Sequence, residues 1–357
     1  MSLGELRKKI DGLDEEIVRL LNERARTALE IGRLKKDAGA QVFDPARERA
    51  VFERVSGLTE GPLPPDAVRA IYREVISAAR ALERRAVIAY LGPPATFTHM
   101  AARGRFGAGV EYLPCETIRD VFAMVEKRAA DHGVVPIENS TEGAVTHTLD
   151  QFIETPLRIC AEIYLPISLH LVANVAREKI RKVYSKAEVF GQCRRWLQQN
   201  LTGVDFVPVS STTRGAELAA KEADAAAIAG RLAAELYGLA FVAEDIQDLG
   251  GNTTRFLVLA RAYGPPSGRD RTSLLFAVKD KVGALYHTLS VFAESGINMT
   301  KIESRPSRGK AWEYYFFVDV EGHADDANVR RALAELEHHC SLLTVLGSYP
   351  LAEGRES

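Results

Sequence analysis

The first 38 residues carry an apolar stripe that limits what this chain can fold into. Leu3, Leu6, Ile10, Leu13, Ile17 and Leu20 recur at steps of three and four, and Ala28, Ile31 and Leu34 resume the stripe after a gap. That period places them on one face of an α-helix. A helix over residues 3 to 38 is about 50 Å long at 1.5 Å per residue. A stripe of that length needs a partner, and coiled-coil-like pairing is the usual answer. Asp44-Pro45 then reads as an N-cap with proline at the first helical position, opening a second helix to about Ser56. Gly57 to Pro65 is a Gly/Pro loop, and a third helix runs from Asp66 to about Arg85.

At Val87 the pattern changes. VIAYL at 87–91 is a short apolar run ending in Gly-Pro-Pro. The periodicity then predicts helix 98–106, strand 110–113, helix 117–130, strand 133–137 and helix 143–153. Strands near 158–173 and 182–184, helix 187–200, strand 204–209 and helix 213–222 follow. Strand 225–229, a helix near 230–237 and strand 254–261 complete the run. Strands alternating with helices indicate α/β layers with a largely parallel sheet, whose ligands bind beyond the carboxyl ends of strands. AYGPPSGRD at 262–270 reads as a linker. After it come strand 271–279, helix 282–295, strands 298–305 and 312–320, helix 325–337 and strand 341–349. That is a βαββαβ, ferredoxin-like order. The chain of 357 residues therefore divides at 1–86, 87–262 and 271–350, within the two to three domains its length suggests.

Several classes of function are disfavoured. Lys and Arg number 46 and Asp and Glu 48, a formal net charge of −2. A chain that binds phosphate backbones is usually basic, so nucleic acid is a poor partner. No stretch approaches 18 consecutive apolar residues, which argues against a membrane span. The charged, periodic start shows no secretory signal. The four cysteines, Cys115, Cys160, Cys193 and Cys340, form no CxxC pair. Reduced thiols in a cytoplasm fit them best. The glycine-rich stretch from Gly104 to Gly109 lacks the GxGxxG order after a strand, so nucleotide binding is unsupported. His99 and His147 lack ligand spacing and read as structural. No metal and no cofactor is expected.

The N-terminal stripe holds charge where a core residue is expected. Arg24 sits between Leu20 and Ala28, and Arg7, Lys35, Arg47 and Glu48 flank the same face. An unpaired buried charge is costly. Arg7 and Arg24 lie about 25 Å apart along one helix, too far to share a small ligand. An antiparallel pair of chains would bring them together. ELRKKIDGLDEEIVRLLNER, IGRLK and DPARE resemble the all-helical chorismate mutase family over nearly all of residues 1–85. The resemblance implies an intertwined dimer. Its site would take Arg7 from the partner chain and Arg24, Lys35, Arg47 and Glu48 from the same chain. Asp44 aligns with a site-lining position as well as serving as a cap. Chorismate is a dianion that arginine grips in a two-pronged way. The rearrangement needs only the folded conformer and charge stabilisation at the breaking ether oxygen. Lys35 would donate to that oxygen. Glu83 stands where many members have a glutamine and donates only as the carboxylic acid. Mutase turnover is therefore expected to fall as pH rises above neutral.

Four loops of the central region are rich in hydroxyls and amides at strand ends: 92–97, 138–143, 211–213 and 250–256. Singly they read as caps and turns. Together, with Arg255 among them, they suit a small anionic ligand. LGPPATFTHMAA, VVPIENSTEGAV, VYSKAEVFGQC, SSTTRGAE and NTTRFLVLA resemble prephenate dehydratase over about 87–262. The resemblance implies two α/β lobes around a cleft, similar to periplasmic binding proteins. The reaction would expel water and carbon dioxide from prephenate, giving phenylpyruvate. Hydroxide leaves badly, so the site must supply a hydrogen bond or proton. The family position for that donor is Thr254. Glu138, Asn139, Ser140, Ser211, Thr212, Thr213 and Phe256 are substrate-binding candidates by position, and Arg255 would hold a carboxylate or orient Thr254. Many members have Ser-His-Pro-Gln where this chain has Ser185-Lys186-Ala187-Glu188, which leaves the role of that loop open.

Residues 271–350 resemble an ACT domain, an α+β amino-acid-binding module. Gly283-Ala284-Leu285 and Glu303-Ser304-Arg305-Pro306 match the phenylalanine-binding motifs of that family. Such modules pair side by side, so the ligand would sit between chains. The three resemblances together imply a multidomain, bifunctional enzyme of phenylalanine biosynthesis. It would act on chorismate and prephenate, respond to phenylalanine, reside in the cytoplasm, and assemble as a homodimer or higher homo-oligomer. An arogenate-preferring dehydratase and a non-catalytic amino-acid-sensing binding protein are the alternatives. The cation set and Thr254-Arg255-Phe256 argue against the second.

Overall fold

The computed structural model describes residues 1–37, 43–278, 281–307 and 314–352, the side chains of 35–37 excepted. The chain divides into two compact units, residues 1–87 with 105–111, and the remainder.

The first unit is helical: α1 (Leu3–Asp37), α2 (Pro45–Gly57) and α3 (Pro65–Glu83). Asp44 caps α2 as the sequence predicts, accepting a hydrogen bond from the Arg47 N–H at 3.0 Å. The core is small. Val51, Val55 and Ile76 pack with Phe52, Val68 and Tyr72. The stripe on α1 contributes little to it, because Leu6, Ile10, Leu13, Ile17 and Leu20 are 43, 56, 50, 53 and 49% exposed. Five large aliphatic side chains open to water on one helix face are out of keeping with a stable monomer surface.

The second unit begins with β1 (Val87–Leu91), α4 (Phe97–Phe106), β2 (Glu111–Cys115), α5 (Ile118–Glu126), β3 (His132–Asn139), β4 (Gly143–Ala144) and α6 (Thr146–Phe152). Then come β5 (Arg158–Pro166), β6 (His170–Ala173), β7 (Lys182–Ser185), α7 (Ala187–Gln192), α8 (Arg194–Asn200), β8 (Asp205–Pro208), α9 (Thr212–Ala219), β9 (Ala225–Ala229), α10 (Arg231–Tyr237), β10 (Ala240–Ala243) and β11 (Thr253–Ala260). Two sheets result. One has the order β2-β1-β3-β11-β5 with β4 beside β3, the other β10-β6-β9-β7-β8. The chain crosses to the second sheet after β5 and returns through β11.

The largely parallel sheet expected from the alternation is not what forms. β11 runs antiparallel to both β3 and β5, and β6 antiparallel to β9 and β10. Parallel pairing is found at β1–β3, β7–β8 and β7–β9, and between β1 and β2, where the Glu111 N–H donates to the Ala86 carbonyl and the Gly92 N–H to that of Cys115. The chain that returns from the second sheet fills the gap between β3 and β5 from the opposite direction. The helix expected over 187–200 is two helices, broken at Cys193, whose backbone leaves the helical region at ψ 14°. β10 was not foreseen.

The last part comprises β12 (Asp270–Val278), α11 (Ala284–Glu294), β13 (Met299–Pro306), β14 (Tyr314–Glu321), α12 (Ala327–His339) and β15 (Cys340–Pro350). Its sheet order is β13-β14-β12-β15. Leu274, Phe276, Val318 and Val320 face the two helices and pack with Val291, Phe292, Val329 and Leu336. The opposite sheet face lies on the dehydratase-like sheet. Gly347 of β15 comes so close to β5 that a Cβ there would sit 2.1 Å from the Ile159 carbonyl. No helix among the described residues is long and apolar enough to cross a membrane.

Candidate active sites and effector module

In the helical unit the expected mutase residues are distributed along open helices. Arg7 is exposed and Arg24 half-buried on α1, and Arg47 is exposed on the first turn of α2. The side chain of Lys35 lies outside the described residues. Glu48 is buried and already matched: Oε1 is 3.0 Å from Arg80 and Oε2 2.8 Å from Arg105. The two guanidiniums also stand over the Phe43 ring, at 5.5 and 5.0 Å from its centroid. Both oxygens of that carboxylate are thus engaged by arginines, each with acceptor capacity remaining.

Glu83, at the end of α3, lies against α1. A Cβ at Gly32 would sit 2.3 Å from Glu83 Cδ, so only glycine leaves room for that carboxyl. The obstructing atoms end a flexible side chain, so Gly32→Ala should displace Glu83 rather than unfold the helix. Alanine also favours an exposed helix by up to about 1 kcal/mol over glycine. We expect the Gly32→Ala variant to melt no earlier than the parent, while its mutase turnover drops roughly tenfold or more for loss of one aligned donor. Assay of both quantities on one preparation checks this. Undiminished mutase turnover would remove Glu83 from the site.

In the two-lobed part, β11 and β3 place Thr254 opposite Asn139 and Arg255 opposite Glu138 on successive rungs. The Asn139 amide Nδ2 donates to Thr254 Oγ1 at 2.8 Å and to Asn252 Oδ1 at 2.7 Å. Its Oδ1 accepts from the backbone N–H of Thr141 and Glu142, at 2.9 and 3.1 Å, and from the Thr141 hydroxyl. Backbone N–H groups only donate, so they fix which end of the amide faces Thr254. Ser140 ties the same loop to β11: its N–H donates to the Thr253 carbonyl, and its Oγ accepts from the Thr253 N–H. Asn139, Ser140 and Thr254 thus form one bonded cluster. Asn252 and Thr141 belong to it and were not singled out, although both lie in the loops flagged by composition.

Ser211, Thr212 and Thr213 sit in the second lobe, where α9 begins beyond β8. Ser211 caps α9, accepting from the Arg214 N–H at 2.9 Å. Thr213 is fully buried, and its hydroxyl has no hydrogen-bond partner among the described residues. Ser185 is buried too, donating to the Ile228 carbonyl at 2.8 Å. Lys186 and Glu188 beside it are exposed and 3.7 Å apart. Phe256 is 1% exposed and packs in the core in this arrangement.

Of the two roles expected for Arg255, holding a substrate carboxylate or orienting Thr254, its placement does not support the first. Neighbouring strand residues point to opposite faces, and Arg255 points away from the Thr254 cluster. Nε donates to Glu162 at 2.9 Å, Nη1 to Asp319 at 2.5 Å and Nη2 to the Tyr349 hydroxyl at 2.9 Å. Arg271 closes the network on Glu162 and donates to Tyr164 at 3.0 Å. Ser273 spends its one proton on Asp319, so the Tyr349 hydroxyl donates to Ser273 while accepting from Arg255. Burial works against the Arg255 charge, but Asp319, Tyr349 and Glu162 outweigh it and hold the group well above its ordinary range. Burial likewise pushes Asp319 up, and the charge of Arg255 with the Ser273 hydrogen bond reverses that and keeps it ionised. Two cations meet two carboxylates. Removing one partner of such a buried set costs about 3–5 kcal/mol, because the remaining charge is stranded. A grip by Arg255 on substrate has no support in this geometry.

The loop after β1 is held by His99. Its ring stacks on Tyr90 at 4.5 Å between centroids, and Nδ1 accepts from the Ala95 N–H at 2.9 Å. Ala95 itself has φ 66°, an unusual conformation for alanine that this bond stabilises. Burial, helped by Arg103, pushes His99 down to about 4. Only the neutral ring accepts this bond. The unfolded chain takes up a proton near pH 6.5 and the folded chain near pH 4, so stability falls across that window. Thermal unfolding followed between about pH 7 and 4.5 should show the midpoint of this unit dropping, and His99→Gln should lose less over the same range.

In the C-terminal module, Gly283 opens α11 at φ 78°, followed by Ala284 and Leu285. The Glu-Ser-Arg-Pro motif lies on β13 and is split by the strand's alternation. Ile302 and Ser304 pair in register with the helix-facing Val318 and Phe316. Lys301, Glu303 and Arg305 take the other face. Lys301 is 2.7 Å from Glu138, and Arg305 donates to Asp150 of α6 at 3.1 Å. Arg305 is thus engaged by the dehydratase-like part and not free beside Gly283.

One helical body carrying Arg7 and Arg24, one two-lobed body with a fixed hydroxyl cluster, and a ferredoxin-like module together fit a multidomain enzyme. Family models match accordingly: chorismate mutase type II over residues 6–84, prephenate dehydratase over 88–263 and ACT domain over 272–338. The bifunctional chorismate mutase/prephenate dehydratase of Aquifex aeolicus (strain VF5) is 51% identical over 355 residues, covering 98% of each chain. Its counterpart in Neisseria gonorrhoeae (strain ATCC 700825 / FA 1090) is 47% identical, over 97% of this chain and 96% of its own. The crystal structure of prephenate dehydratase in complex with L-Phe from Arthrobacter aurescens is 37% identical and superposes with a TM-score of 0.70, over 76% of this chain and 92% of that one. The chain belongs to the bifunctional chorismate mutase/prephenate dehydratase family. It is a mutase and a dehydratase on one polypeptide, with an ACT domain behind them.

Proposed function

We propose that the helical unit rearranges chorismate to prephenate and that the two-lobed part converts prephenate to phenylpyruvate, with phenylalanine as effector of the ACT domain. The observation that carries the dehydratase assignment is the hydrogen bond from Asn139 Nδ2 to Thr254 Oγ1. Because Thr254 accepts there, its own O–H is turned toward other acceptors. Accepting a hydrogen bond also polarises the O–H. As the ring carboxylate leaves as carbon dioxide, its electron pair moves into the ring and the C–O bond to the ring hydroxyl breaks. Thr254 donates to that departing oxygen, which leaves as water once protonated, and solvent restores the threonine proton. Ser140 and Asn252 keep the strand and loop that carry the pair in register.

For the mutase, the open stripe on α1 supports a homodimer through that helix, with Arg7 of one chain reaching the site built around Arg24 of the other. The four buried cysteines form no disulfide, which fits a reducing cytoplasm. The purified chain given chorismate alone should accumulate phenylpyruvate, identified by NMR. Arrest at prephenate would sink the dehydratase reading. Faster turnover of arogenate than of prephenate would change the named substrate and leave the chemistry intact.

A further inference from the structure

We infer that the ACT domain is part of the dehydratase's working geometry, and that Lys301 and Asp319 are positioning residues for the Thr254–Asn139 pair. The inference rests on the assignment of Thr254 as the donor. Thr254 and Asn139 face each other on one rung, and Arg255 and Glu138 form the next. Both members of that second rung are held by the ACT sheet. Asp319 of β14 grips Arg255 at 2.5 Å, and Lys301 of β13 stands 2.7 Å from Glu138. Lys301 and Asp319 are themselves cross-strand partners. Two cross-strand neighbours of one module therefore hold the two residues next to the reactive pair in the strands of another, Arg255 after Thr254 and Glu138 before Asn139.

The physical setting favours transmission. The Arg255 and Asp319 side chains are nearly inaccessible, and Lys301 is 13% exposed. The Lys301 ammonium approaches Glu138 as a close ion pair without the alignment of a hydrogen bond, and Glu138 is its charged neighbour. Strands β3 and β11 are inextensible at this scale, so a shift of Glu138 or Arg255 moves Asn139 or Thr254 with it. A displacement of 1 Å at a reacting group can cost about 100-fold in rate. Neither residue touches the Thr254 cluster, which separates this role from a catalytic one.

Asp319→Asn strikes the buried network and endangers the fold, so the decisive variant is Lys301→Met, which keeps the length of the side chain and removes its charge. With the full-length chain and prephenate as substrate, Lys301→Met should lower dehydratase kcat by about tenfold or more with KM little changed, and Lys301→Arg should recover most of it. Mutase turnover of the same chains should equal that of the parent. If Lys301 works through Glu138, adding Lys301→Met to Glu138→Gln should cost little further. A kcat within about twofold of the parent, or a cost that adds in full to that of Glu138→Gln, would overturn the inference. Thr254→Ala run alongside tells the failures apart. If it is inactive while Lys301→Met is normal, only the positioning role falls; if Thr254→Ala stays active, the donor assignment falls with it.

Discussion

Replacing Thr254 by alanine should lower dehydratase turnover by at least about 100-fold, the low end of what a positioned proton donor contributes. The argument is local. Alanine removes the only hydroxyl to which Asn139 Nδ2 donates on β11, but Asn139 stays anchored through Asn252 and the N–H groups of Thr141 and Glu142. The strand keeps its ladder to β3 and β5, which is made by backbone groups that the substitution does not touch. The loss should therefore appear in kcat, with the thermal midpoint close to that of the parent. Thr254→Ser restores a hydroxyl and should restore much of the rate. The mutase is an internal control on the same chain, because the helices that carry it form a separate unit. A fall of tenfold or less in Thr254→Ala, measured with saturating prephenate, would remove Thr254 from the chemistry. The leaving hydroxyl would then have to be served by another group.

Much of this organisation is legible in the residues, and what is not has definite causes. The helix α1 is legible because steps of three and four residues mark most of its length. The stripe also carries the expectation of a partner, since none of the described residues of the first unit covers it. Strand positions were readable, but strand direction was not. Direction depends on which distant segment supplies the neighbour, and β11 finds its neighbours more than 80 residues away in β5 and more than 100 away in β3. β10 escaped because four residues, AFVA, show no alternation. The Thr-Arg-Phe motif was found as a unit, yet a strand separates consecutive side chains by construction. Thr254 goes to the polar cluster and Arg255 to the ACT sheet. The same alternation divides Glu-Ser-Arg-Pro on β13 and sends Arg305 to Asp150. Both divisions follow from period two and could have been drawn from the sequence. Asp319 is also visible as the lone acid inside the apolar run YYFFVDV, and Glu162 and Arg271 as charges inside expected strands. What the sequence could not supply was their pairing, because that requires knowing which two sheets stack.

Mixing two inactive chains should regenerate mutase activity. If each mutase site combines Arg24 of one chain with Arg7 of its partner, Arg7→Ala and Arg24→Ala each damage every site in their own homodimers. Loss of one bidentate guanidinium–carboxylate contact at a charge-stabilising site costs on the order of 100-fold or more. In a mixed dimer the lesions segregate. One site draws its intact Arg24 from the Arg7→Ala chain and its intact Arg7 from the Arg24→Ala chain, while the other site carries both lesions. At equal concentrations and free exchange half of the dimers are mixed, each with one competent site of two, so mutase turnover should recover to about a quarter of the parent's. The two arginines lie 17 residues apart on a single continuous helix, α1, with Arg7 exposed and Arg24 half-buried. At about 1.5 Å per residue no small dianion can touch both within one chain. Because they share an element with the uncovered Leu and Ile stripe, a second copy of the chain packed on that stripe would bring a second cation set alongside. Dehydratase turnover should remain at the parent's level throughout, since neither residue belongs to that unit. Recovery that fails to appear when subunit exchange is demonstrated by labelled chains would place at least one of the two arginines outside the site, and the shared-site arrangement would fall.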